Sequence, residues 1–121
     1  MIRIKRAYED AAAEDGTRVL VDRLWPRGVS KERIRIAFWA KDVAPSAALR
    51  AWFGHDPARW DAFQRRYVAE LTANPAAWQP ILDATRLGDV TLVYGAKDTA
   101  HNDAVVLQRF LQARLAADQP S

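Results

Sequence analysis

Two short polar segments hold most of the residues able to do chemistry in this chain. The first is Asp22-Arg23-Leu24-Trp25-Pro26-Arg27-Gly28; the second is Lys97-Asp98-Thr99-Ala100-His101-Asn102. Arg23 and Arg27 carry planar guanidinium forks suited to bidentate contact with phosphate or carboxylate, and Lys97 adds a point charge. Asp22, Asp98 and His101 are the candidates for proton transfer, since a carboxylate can act as base or orient an arginine and a histidine titrates near neutrality. Trp25 and Asn102 complete the set as ligand contacts. Each residue also has a plainer reading. Asp22 and Arg23 can pair with other charges or cap loop amides, Asp98 can cap a helix, His101 can be structural, Trp25 can pack, and Lys97 can be a solvated charge.

These segments need rigid elements behind them. Val19-Leu20-Val21 is a short apolar, β-branched run with polar flanks, the pattern of a strand buried on both faces. Val90-Thr91-Leu92-Val93-Tyr94 repeats it more strongly after a Gly88-Asp89 turn. Each polar segment leaves the carboxyl end of one such strand. Ligands of open parallel sheets sit outside those ends, at a switch in strand order. If the two strands are parallel neighbours, the segments meet over one crevice. The second also leads into a helix start, where amide groups and the helix dipole favour an anion.

The other elements follow from local signals. Ile2 and Ile4 mark a first strand, and Glu9 to Gly16 a short helix or loop ending in a turn. Ser30 caps a helical turn through Arg33. Ile34, Ile36, Phe38 and Ala40 alternate with other residues and predict a half-buried strand. Ser46, Asp56-Pro57 and Asn74-Pro75 are three helix starts, two with proline at the first helical position. Trp60, Phe63, Tyr67 and Leu71 line one helix face, and Ala104, Leu107, Leu111 and Leu115 line another from about Asn102 to Ala116. The expectation is one α/β domain over residues 1–117, a small mostly parallel sheet flanked by helices with the C-terminal helix packed on it. Asp118-Gln119-Pro120-Ser121 reads as a loose tail.

Composition narrows the chemistry. With no cysteine there is no disulfide, thiolate nucleophile or thiolate metal site, which is compatible with a cytoplasmic home. Only His55 and His101 are present, so no zinc site is expected. The dinucleotide, P-loop and nucleophile-elbow glycine signatures are absent, and no motif names a cofactor. A carboxylate-bound magnesium would leave no spacing signature. No stretch is apolar enough to span a bilayer, so no membrane partner is expected. The net charge is +3, and residues 1–50 hold 11 basic against 7 acidic side chains, leaning that half toward anionic partners.

The runs Val19 to Gly28, Ala44-Pro45-Ser46, Leu49 to Pro57 and Ala96 to Asn102 resemble the YeaO-like proteins, small bacterial proteins of a domain-of-unknown-function family. The resemblance covers nearly the whole chain. It implies as characteristic residues Asp22, Arg23, Trp25, Pro26, Arg27, Gly28, Lys41, Pro45, Ser46, Trp52, Phe53, His55, Asp56, Lys97, Asp98, His101 and Asn102. It implies no reaction. More distant relatives carry a cysteine near the end of the last strand and a His-Arg pair further on. Those places here hold Tyr94 or Gly95 and His101-Asn102, so thiol chemistry does not carry over.

The functional expectation is therefore a binder of, or enzyme acting on, a small anionic ligand, phosphorylated or nucleotide-like. One alternative is a nucleic-acid-associated module, resting on the basic first half and five tryptophans. The other is a structural subunit of a complex. No motif sets the strand order or the oligomeric state.

Overall fold

A computed structural model describes residues 1–118. Strands β1 (Ile2–Arg6), β2 (Thr17–Leu20), β3 (Phe38–Trp39) and β4 (Val90–Tyr94) form one sheet in the order β1-β4-β2-β3. All three pairings are parallel. The helices are α1 (Lys31–Ile34), α2 (Ala47–Phe53), α3 (Trp60–Ala73), α4 (Pro75–Thr85) and α5 (Asp103–Asp118). Of the expected C-terminal tail, Asp118 belongs to α5, and Gln119, Pro120 and Ser121 lie outside the described residues.

Alternation along the two central strands divides the core. Val19, Val21, Val90, Leu92 and Tyr94 face a large cluster built with α2 to α5. Leu20 and Val93 face a smaller one closed by Val29 and Ile34, with Trp25 and Trp39 packed against it. Both strands are thus apolar on both faces, as an interior parallel strand requires. Helix α5 lays Ala104, Leu107 and Leu111, all fully buried, against β1 and β4.

The segment predicted as a strand from Ile34 to Ala40 is different. Ile34 ends α1, and Arg35 turns the backbone into the left-handed region at φ 48°. Only Phe38 and Trp39 pair with β2. The period-two pattern arises because Ile34 and Ile36 reach the small core from a helix end and its following turn. Asn74 precedes α4 as predicted, but its side chain makes no capping bond; its backbone carbonyl accepts from Ala77 instead.

At the amino end of the sheet a 3-10 turn (Ala13–Asp15) leads through Gly16, at φ 64°, into β2. A Cβ there would lie 2.2 Å from the Asp89 carbonyl oxygen, where the Thr17 amide donates. Gly16→Ala combines backbone strain with a clash against fixed backbone. We expect a loss of about 2–4 kcal/mol, read as a lowered urea midpoint with unchanged slope.

Candidate functional site

The carboxyl ends of β2 and β4 adjoin. Leu20 is in register with Val93, and the Val21 amide donates to Val93 O at 3.1 Å. The loops that follow touch directly: the Gly95 amide donates to Asp22 Oδ2 at 2.8 Å. A Cβ on residue 95 would come within 3.2 Å of that oxygen, so glycine permits the approach.

Over this junction lies a cleft of about 310 Å³, within the range of small-molecule sites. Its polar lining includes Asp22, Arg23, Arg50, His55, His101 and Asp103. Its apolar wall includes Leu24, Pro45, Phe53 and Phe63. No serine, threonine, cysteine or lysine is among the described residues lining it.

Arg50 projects from α2, a helix held by its own start. Ser46 Oγ accepts from the Leu49 amide at 3.1 Å and donates to Glu70 Oε2 at 2.6 Å, while the Ser46 amide donates to Glu70 Oε1 at 2.8 Å. Arg50 Nε is fully buried and has no hydrogen-bond partner among the described residues. That is a costly state for a charged donor, and a bound anion would relieve it. Replacing Glu70 by alanine unfastens the start of α2. We expect a loss of about 1–2 kcal/mol in chemical unfolding, with Glu70→Gln losing less because one acceptor remains.

Asp22 and Asp103 share the cleft. Desolvation raises the Asp22 carboxyl above its usual range, opposed by the Gly95 amide and by the Arg50 charge. Asp103, the first residue of α5, is pushed up to about 8, first by desolvation and then by the Asp22 charge. Its own amide, that of Ala104, and Arg50 pull the other way. The start of α5, expected to favour an incoming anion, is thus already occupied by a carboxyl group of the chain itself, held largely protonated at neutral pH.

The second loop is ordered by Asp98, but not as the cap of α5. Asp98 Oδ1 accepts from the Ala100 and His101 amides at 2.9 Å each, and Oδ2 lies 3.0 Å from His101 Nδ1. Those amides and then the imidazole hold its carboxyl below the usual value. The cap is Asn102, whose Oδ1 accepts from Val105 N at 3.1 Å while its Nδ2 donates to Asp98 O. The His101 ring stands edge-on to Trp60, with centroids 5.2 Å apart.

Of the eight residues singled out in the sequence, Asp22, Arg23, His101 and Asn102 come together in the cleft. Arg27, Lys97 and Asp98 are exposed and do not line it. Trp25 faces the small core, where its Nε1 donates to Val29 O and its ring packs edge-on against Trp39. Sequence reasoning missed Arg50 and Asp103. Arg50 sits in an ordinary helix, and Asp103 reads as a routine acidic residue in a first turn. His55, among the residues implied by the family resemblance, lines the cleft at a positive φ of 56°.

Fold and cleft together define a small parallel α/β domain with a charged crevice at its strand carboxyl ends. The whole chain, residues 1–121, matches the model of a family described as "Inactive DUF488-N3 subclade". An uncharacterized protein of Mycobacterium tuberculosis is 43% identical over 113 residues, 93% of this chain and 95% of that one. The uncharacterized protein YeaO of Escherichia coli K12 is 38% identical over 112 residues, 93% of this chain and 97% of YeaO. The chain belongs to this YeaO-like family, as its motifs predict. No solved structure matches it. Among the described residues no helix is long and apolar enough to cross a membrane.

Proposed function

We propose that this protein binds a small oxyanion-bearing metabolite, phosphorylated or nucleotide-like, in the cleft beyond β2 and β4. The observation that carries the reading is Arg50: a guanidinium lining a cleft, with a buried Nε that no described group satisfies. Arg23 stands at the same mouth and adds positive charge. The apolar wall of Phe53, Phe63 and Leu24 suits the uncharged part of such a ligand. Binding without turnover fits the description "inactive" given to the subclade. It also fits a lining without a serine, threonine, cysteine or lysine nucleophile.

The tryptophans give little support to base stacking. Arg66 covers Trp52 at 4.0 Å and Lys41 covers Trp39 at 4.1 Å. Trp78 is buried, Trp60 meets His101, and Trp25 meets Trp39. A thermal-shift series at pH 7.5 with sulfate, inorganic phosphate, ribose 5-phosphate and adenosine monophosphate tests the proposal. A Tm that climbs with ligand concentration is expected for at least one of them, by mass action on the folded state. A flat response to all four would remove the proposal.

A further inference from the structure

We propose that the cleft takes its anion together with a proton: the oxyanion seats on Arg50 only while the Asp22–Asp103 pair holds one proton, and that O–H donates to the ligand. This rests on the anion-binding reading above and adds how the same site is controlled.

An anion entering beside two ionised carboxylates meets repulsion in a place where desolvation makes it strong. The described structure offers it one buried guanidinium donor, Arg50 Nε. One proton on the pair removes half of the opposing charge and supplies a second donor, since a protonated carboxyl carries an O–H.

The groups around the pair favour that arrangement. From the end of β2, Asp22 is fixed by the Gly95 amide, which needs an acceptor and so favours an ionised carboxylate there. From α5, Asp103 carries the larger upward push, caused first by desolvation and then by Asp22, which makes it the resident of the proton. From α2, Arg50 opposes protonation of both. From α3, Tyr67 faces the pair, with Glu70 behind it. Tyr67 is held neutral, first by burial and then by the charges of Asp103, Asp22 and Glu70. Its hydroxyl is committed to Val43 O at 2.6 Å, so it lends the pair no proton. Glu70 is tied to Ser46. Arg23, His55 and His101 line the same cleft.

The sign follows from linkage. A ligand that prefers the protonated pair binds tightly at low pH and weakens as pH rises through the value of about 8 given to Asp103. Sulfate is the probe, because it keeps a double negative charge across the whole range from pH 7.5 to 9.5. Calorimetry on the intact protein is expected to show affinity falling up to roughly twenty-five-fold over that interval, the limit for one linked proton that titrates near 8. Repeated near pH 8 in two buffers of different ionisation enthalpy, it should report net proton uptake on binding.

Asp103→Asn removes the titration, so whatever its absolute affinity, its sulfate Kd should not change between pH 7.5 and 9.5. Equal affinity at pH 7.5 and 9.5 in the unmodified protein, or zero proton uptake, would overturn the inference and leave anion binding standing. Absence of sulfate, phosphate and nucleotide binding at every pH would remove both. The buffer experiment needs no variant, so a poorly folded Asp103→Asn would not protect the idea.

Discussion

Alanine in place of Arg50 is expected to weaken oxyanion binding by roughly two orders of magnitude, the equivalent of losing one charge-assisted hydrogen bond and part of a second. The guanidinium lines the cleft, and its buried Nε has no hydrogen-bond partner among the described residues. Arg50→Lys keeps the charge but loses the planar fork, and should retain more, falling about tenfold. Arg23 is exposed, and solvent screens its contribution, so Arg23→Ala should cost less than about threefold at physiological salt. Arg27→Ala and Lys97→Ala, outside the cleft, should leave affinity within error. Calorimetric Kd values across this set locate the site. Loss on Arg27→Ala or Lys97→Ala with Arg50→Ala unaffected would move the ligand out of the cleft.

Removing the Asp15 carboxylate is expected to destabilise the fold by about 3–5 kcal/mol, the usual cost of stranding a buried charge. Asp15 and Arg18 are 3% and 4% exposed, and Arg18 Nη1 meets Asp15 Oδ2 at 2.7 Å. Lys5 Nζ joins the same oxygen at 3.2 Å, and the Ala12 amide donates to it at 3.0 Å. Arg18 Nε is tied to Ile34 O, which links β2 to the end of α1. Without Asp15 two cations lose their partner, and Arg18 has nowhere solvated to go. Asp15→Asn keeps the acceptor for Ala12 and should cost less than Asp15→Ala. The same cluster sets an acid limit. Desolvation raises the Asp15 carboxyl, but the Ala12 amide, Lys5 and Arg18 outweigh it and hold the folded-state value below the ordinary one. Its stabilisation is therefore complete above the unfolded-state value, near 4, and is lost as pH falls through the lower folded value. Urea midpoints between pH 6 and pH 2.5 should show that decline in the parent and a weaker one in Asp15→Asn.

Much of the frame was legible because it is local. Short apolar runs at Val19 and Val90 announce interior strands, and Ser30, Ser46 and Asp56 each satisfy the amides that follow them. The two polar loops follow from the strands, since chain leaving a buried parallel strand emerges at the functional edge. What the sequence could not carry was convergence from elsewhere. Arg50 reaches the cleft because α3 holds α2 through Glu70 and Ser46, a contact spanning 24 positions. Asp103 becomes unusual only when Asp22 is opposite it, and nothing in the string Asn102-Asp103-Ala104 says so. The Ile34 to Ala40 stretch misled for a related reason, because a helix end and a turn can bury alternate residues as a strand does.

The place of β4 has one more consequence. It is the fourth strand in the chain yet lies between the first and second, so Ile2–Arg6 and Thr17–Leu20 have no partner between them until Val90–Tyr94 arrives. During synthesis β1 must therefore wait, unpaired, for a segment made more than eighty residues later, while β2 has only the two-residue β3 beside it. Fragments ending before residue 90 should lack a stable sheet, and the ribosome must release most of this protein before β1 and β2 can be joined.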